Sequence, residues 1–268
     1  MRIIFFGTPE LCIPYLEFLH STHELVAVIS NPDQPVGRKQ MMTSPPTAVW
    51  AHTHTIDCLQ PAKLRGFDSD LARYNADIYI VIAYGKIIPE TIINQPRYGT
   101  LNIHYSLLPR WRGACPVESS ILHGDSETGV CIQQMRYLLD TGPILAQEKI
   151  SLQGNEYARE LRDGIMGDIG IDLLQKVLNQ TEAGKLNPLE QIEEGITHCF
   201  RIKKPDGELF STDDNLTRWR KYRAYYPWPG VFSFDPEGKR VKITSAVYEN
   251  DLFRILKYIR EGEEEVTL

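Results

Sequence analysis

Asn102 and His104 are two residues apart in the apolar run Thr100-Leu101-Asn102-Ile103-His104. On a strand that spacing puts both side chains on one face. A carboxamide offers two N–H donors and one acceptor, and an imidazole gains and loses a proton near neutral pH. Side by side at a strand's carboxyl end, the two can hold an oxygen that gains negative charge and take a proton from a nucleophile. Asn-x-His alone is an ordinary polar strand end. Here Leu107-Leu108-Pro109 and Arg112-Gly113-Ala114 follow and force a compact turn beside the pair. Asp140-Thr141-Gly142 comes after another strand-like run. By itself that tripeptide is a turn, and an aspartic protease would need a second copy. Beside an imidazole, a carboxylate orients the ring and favours its protonated form.

Other residue types exclude other chemistries. The five cysteines (12, 58, 115, 131 and 199) are scattered, with no Cys-x-x-Cys, and read as small core residues in a reducing compartment. His52, His54 and Cys58 lack a fourth ligand, so no metal is expected. Gly7 stands alone after the first strand, without the glycine pattern of a dinucleotide-binding turn. The chain has 268 residues, 42% of them hydrophobic, and a net charge of −6. That suits one large domain or two unequal ones. The first apolar run is too short for a signal segment and no run reaches transmembrane length, so a cytoplasmic protein is expected.

Short, largely apolar runs at 2–6, 25–29, 78–83 and 100–104 read as buried strands. Thr8 is expected to cap a helix with Pro9 in its first turn, running to about His20. A loop through about Pro46 follows the second strand. Helices are predicted at 47–53, 62–74, 116–123 and 155–179, and strands at 56–59, 128–135 and 144–150. Buried strands alternating with helices imply a doubly wound, mostly parallel α/β sheet, with ligands beyond the carboxyl ends of its strands. Residues 1–180 form this catalytic domain, 181–197 a polar linker and 198–268 a small β-rich domain. That last domain has strands at 230–234, 239–246 and 252–257, a helix at 215–225 and a frayed end from Glu261.

Several segments together resemble the folate-dependent formyltransferases: Asn102-Ile103-His104, Ser106-Leu107-Leu108-Pro109, Arg112-Gly113 and Asp140-Thr141-Gly142. Gly7-Thr8-Pro9-Glu10, Asn31-Pro32-Asp33-Gln34-Pro35-Val36-Gly37-Arg38 and Pro109-Arg110-Trp111-Arg112-Gly113-Ala114 resemble the branch that formylates the initiator tRNA charged with methionine, and the resemblance resumes at Arg223-Ala224 and Pro227-Trp228-Pro229-Gly230. The resemblance implies a Rossmann-like fold and 10-formyltetrahydrofolate as donor, with no metal. It implies Asn102, His104 and Asp140 as catalytic residues. Ser106, Leu107, Leu108 and Pro109 would contact the folate, and Ile82, Tyr84, Gly85 and Ile87 would line its pterin pocket, chiefly through backbone groups. Arg38 and Lys39, with Met41 and Met42 as wedges, would engage the end of an acceptor stem. Arg110 and Arg112 are candidates to bind phosphate, with Arg112 equally readable as a structural salt-bridge residue.

Between Arg201 and Lys242 there are ten Lys/Arg and six Asp/Glu, a local positive excess that suits a nucleic-acid backbone. Only Glu249-Asn250-Asp251-Leu252 separates Tyr248 from Phe253. A five-stranded OB barrel is hard to fit, so an abbreviated OB-like domain is expected, in a protein read as a monomer. That abbreviation favours a second acceptor class, a nucleotide-linked amino sugar. A non-catalytic folate- or RNA-binding protein is the alternative of another kind.

Overall fold

The structure, a computed structural model, describes residues 1–37 and 40–268. Arg38 and Lys39 lie outside the described residues. In chain order the elements are β1 (Arg2–Phe6), α1 (Ile13–Thr22), β2 (Glu24–Ile29), β3 (Gln34–Val36), β4 (Met41–Thr43), α2 (Pro46–Thr53), β5 (Cys58–Leu59), α3 (Asp68–Ala72), β6 (Ile78–Val81), α4 (Glu90–Ile93), β7 (Thr100–His104) and β8 (Arg112–Gly113). There follow α5 (Pro116–His123), β9 (Glu127–Gln134), β10 (Ile144–Ser151), α6 (Ala158–Asp163), α7 (Ile165–Glu182), β11 (His198–Cys199), α8 (Asn215–Tyr225), β12 (Val231–Phe234), β13 (Arg240–Glu249), β14 (Leu252–Arg260) and β15 (Glu265–Thr267). None of the described helices is long and apolar enough to cross a membrane.

Two compact units result. The first comprises Met1–Arg112, Gly129–Glu148 and Met166–Thr197; the second comprises Gly113–Thr128, Lys149–Ile165 and His198–Leu268. A seven-stranded sheet runs β10-β9-β7-β6-β1-β2-β5. Its pairs β2–β5, β1–β2, β1–β6 and β6–β7 are parallel, and β7–β9 is antiparallel. Ile3, Ile4, Phe5, Phe6, Ile78 and Ile80 are wholly buried, because helices cover both faces of a parallel sheet. The chain winds outward from β1 through β2 to β5 and then returns to β6 on the other side. The carboxyl ends of β1 and β6 therefore flank a crevice where the winding reverses, the usual ligand position in such sheets.

Side-chain hydrogen bonds tie the loops at this edge. Thr47 donates to the Gly7 carbonyl (2.9 Å) and meets Ser30 (2.8 Å). Asn31 donates to the Tyr84 carbonyl at 3.1 Å. Thr8 is not a helix cap as expected. The chain stays extended through Pro9, a 3-10 turn covers Glu10–Cys12, and α1 starts with Pro14 in its first turn. The Thr8 hydroxyl instead points to the Tyr84 carbonyl, at 3.5 Å.

Four other expectations are corrected. The loop before Pro46 contains a hairpin, β3 with β4. The helix foreseen at 62–74 shrinks to α3, because a turn from Leu64 to Phe67, with Gly66 at φ +81°, stops any earlier start. The long helix at 155–179 splits into α6 and α7 at Gly164, whose φ −107° and ψ −105° are not helical. The end of the chain is not frayed: β15 pairs with β14, Tyr258 opposite Val266.

In the second unit β12-β13-β14-β15 form an antiparallel sheet in chain order. No pairing among the described residues joins β15 back to β12, so this is an open meander rather than a closed barrel. Helix α8 is capped by Asp214, whose carboxylate accepts the Thr217 N–H at 2.7 Å.

Candidate active site

Strand β7 carries Asn102 and His104, and the antiparallel pairing with β9 sets Gln133 opposite Asn102 and Cys131 opposite His104. The chain then turns through Asp140-Thr141-Gly142 into β10 and brings the carboxylate back over the same strand pair. Asn102 Nδ2 donates to Asp140 Oδ1 at 3.3 Å, and His104 Nδ1 lies 3.8 Å from Asp140 Oδ2. The structure thus brings Asn102, His104 and Asp140 together across 38 positions of sequence separation.

The chemistry of the partners defines the imidazole. His104 Nε2 is 2.8 Å from the Trp111 carbonyl oxygen. A carbonyl only accepts, so Nε2 carries the hydrogen and Nδ1 is the nitrogen that gains or loses a proton. That nitrogen faces Asp140. The ring is buried, and the Ser106 hydroxyl donates to the Arg110 carbonyl at 2.6 Å, closing the Ser106–Arg110 turn beneath it.

Backbone conformation marks the same place. Ala83, Trp111 and Asp140 have φ of +48°, +59° and +51°. Non-glycine residues in the left-handed region persist where the surroundings over-determine them, and such positions cluster at functional sites. The Trp111 N–H donates to Thr197 Oγ1 at 2.9 Å and its carbonyl serves His104, so hydrogen bonds on both sides hold it there. Gly142 is obligatory for another reason. A Cβ there would stand 1.7 Å from the Gln134 carbonyl oxygen.

Residues that motif reading did not single out hold the Asp140 turn. Gln133, 1% exposed, donates from Nε2 to Asp140 Oδ1 at 2.8 Å and accepts the Gly142 N–H at 3.2 Å. Gln191 donates to the carbonyls of Asp140 (2.9 Å) and Gly142 (2.8 Å). Arg112 in turn bonds Gln191 Oε1 from Nε (3.1 Å) and Nη2 (2.7 Å). Arg112, expected at a phosphate, is therefore engaged in supporting the Asp140 turn. The one available sign was a buried amide in an apolar strand at Gln133; Gln191, in a polar run, gave none.

The other anticipated residues are dispersed around this centre. Arg110 stacks on Trp111, its guanidinium carbon 4.4 Å from a ring centroid. The Tyr84 side chain is core, set edge-on to Phe6 at 5.5 Å, and burial pushes its hydroxyl up to about 12. Ile82 is buried and Ile87 is 81% exposed. At Gly85, φ is +77° and nothing lies within 4 Å of where a Cβ would be. Ala83 and Gly85 are exposed, and no hydrogen bond among the described residues engages their backbone. Open space beside unengaged backbone donors and acceptors suits the flat, hydrogen-bonding edge of a pterin. Met41 and Met42 project into solvent from the β3–β4 hairpin. No cluster of metal-ligating side chains occurs among the described residues.

Residues 1–167 match the Formyl transferase family. A methionyl-tRNA formyltransferase of Novosphingobium aromaticivorans is 41% identical over 92% of this chain and 81% of its own length. One from Hydrogenovibrio crunogenus is 38% identical over 92% and 79%. Among solved structures, an N-formyltransferase of Helicobacter canadensis, crystallised with folinic acid and dTDP-3-aminofucose, superimposes with a TM-score of 0.70. It covers 100% of this chain and 98% of that one at 17% identity, a likeness of fold.

Proposed function

The chain belongs to the formyl transferase family, with the methionyl-tRNA formyltransferases, and from that membership we propose that it moves a formyl group from 10-formyltetrahydrofolate to the amino group of methionyl initiator tRNA. One observation carries the chemistry: an amide N–H, an imidazole nitrogen and a carboxylate converge at the carboxyl end of β7. Bound at this edge, the folate supplies a formyl carbon on nitrogen to an attacking amine. The residues do the rest. Asn102 Nδ2 has two hydrogens, one directed to Asp140, and the second serves the formyl oxygen as it gains negative charge. His104 Nδ1 takes the proton that the amine loses and returns it to the departing folate nitrogen. Asp140 Oδ2, facing Nδ1, stabilises the imidazolium in between. No metal ligand and no covalent nucleophile enters this scheme.

Backbone groups of Ala83 and Gly85 hold the pterin, with Ile82 and Ile87 beside it, and the Ser106–Pro109 turn contacts the rest of the folate. Arg110, with Arg38 and Lys39, meets the phosphates of the acceptor end. The protein acts as a monomer in the cytoplasm. Identity of 38–41% over nine-tenths of the chain favours tRNA over an amino sugar as acceptor. Parallel assays with methionyl initiator tRNA and with nucleotide-linked amino sugars test this. Formyl-methionyl-tRNA is the expected product; transfer to the sugar alone, or to neither, defeats the proposal.

A further inference from the structure

Resting on that formyl-transfer reading, we propose that Gln133 is a positioning residue: it fixes the torsion of the Asp140 carboxylate so that one oxygen is held toward His104, and through that the ring's exchange of protons. Its orientation is fixed by chemistry. The Gly142 backbone N–H can only donate, so the amide oxygen must face it (3.2 Å), and the amide nitrogen must face Asp140 Oδ1 (2.8 Å). Asn102 Nδ2 reaches the same Oδ1 at a longer 3.3 Å. A carboxylate torsion is broad, so it does not by itself hold either oxygen toward His104. Two N–H donors converging on Oδ1 fix it and turn Oδ2 toward His104 Nδ1.

The site also accounts for the residue type. An apolar side chain at 133 removes the shorter of these two bonds to Oδ1. A cation there competes with His104 for the carboxylate. A neutral amide gives one donor to Asp140 and one acceptor to Gly142 without adding charge. Gln191 and Arg112 hold the same turn differently, by its backbone carbonyls, and leave the carboxylate torsion alone. Burial chiefly pushes the Cys131 thiol up to about 12, so it stays neutral, and the Arg112 guanidinium is bonded to Gln191.

The test compares Gln133→Leu and Gln133→Glu with the parent protein, after thermal melts establish folding. We expect Gln133→Leu, which acts through Asp140, to lower kcat about 10- to 100-fold at every pH, at or below the roughly 10²- to 10⁴-fold of an acid–base group itself, with folate KM changed less than about two-fold. Gln133→Glu separates positioning from mere packing. While the introduced carboxyl holds the one proton it shares with Asp140, it donates to Oδ1 as the amide did. Once that proton is lost, two adjacent carboxylates repel. Its activity should therefore approach the parent's at low pH and fall as pH rises.

A parent-like kcat for the leucine variant, or parent-shaped pH profiles for both variants, overturns the proposal. If the leucine variant does not fold, the glutamate profile decides alone. A parent protein that formylates no acceptor defeats the functional reading instead. The positioning role is then read from the crystal structure of Gln133→Leu. Asp140 Oδ2 should turn away from His104 Nδ1, and an unchanged carboxylate orientation overturns the proposal.

Discussion

At the scale of single residues, the site depends on what each polar atom can and cannot do. The Trp111 carbonyl cannot donate, which leaves His104 Nδ1 as the working nitrogen. The Gly142 N–H cannot accept, which orients Gln133. From these constraints Asp140 acts on a proton, not on the folate. Replacing it by asparagine keeps the shape and an acceptor but removes the charge that stabilises the imidazolium. We expect Asp140→Asn to lower kcat about 10²- to 10⁴-fold, the usual range for one acid–base partner. The folate dissociation constant, measured by fluorescence titration, should stay within about two-fold. Equal losses in turnover and in folate affinity would place Asp140 in the binding pocket and remove it from proton transfer.

At the scale of elements, what was legible in the sequence followed local physics. The largely apolar runs of β1, β2, β6 and β7 needed no partner to be read as buried strands. Asn102 and His104 were legible as a same-face pair because strand periodicity is local. Gln133 was not, because its meaning comes from pairing of β9 with β7, which no local pattern encodes. Gln191 was invisible for the same reason, since its partners lie about 50 residues away. Helix lengths failed where a glycine changed the backbone, at Gly66 and Gly164.

The turn before α6 allows a prediction at this scale. Burial raises the Glu156 carboxyl, but bonds from the N–H groups of Gln153, Gly154 and Asn155 outweigh it, and the net shift is downward from 4.5. A carboxyl depressed in the folded state stabilises at pH above its unfolded value. That contribution is lost as pH falls through the depressed value. Glu156→Gln should therefore lower the melting temperature at pH 7, with the gap to the parent closing as pH falls through the acid range. A gap of constant size from pH 7 to pH 3 would show that the carboxylate's charge adds nothing to this turn.

At the scale of the whole molecule, charge is distributed against the proposed acceptor. The chain carries −6 overall, so its long-range field repels a polyanion, and tRNA must be met locally. The excess of Lys and Arg between Arg201 and Lys242 falls entirely within the second unit, beside its open four-stranded sheet. Each phosphate contact releases counterions, about 0.7 to 0.9 log unit in affinity per log unit of salt. A folate held through backbone groups and apolar walls releases few. Between about 50 and 200 mM salt, affinity for methionyl-tRNA should therefore fall steeply while folate affinity changes little. Charge reversals on α8, Arg218→Glu with Arg220→Glu, should flatten the tRNA slope and leave folate binding intact. If tRNA affinity proves as insensitive to salt as folate affinity, the Lys- and Arg-rich segment from Arg201 to Lys242 is not where the acceptor binds.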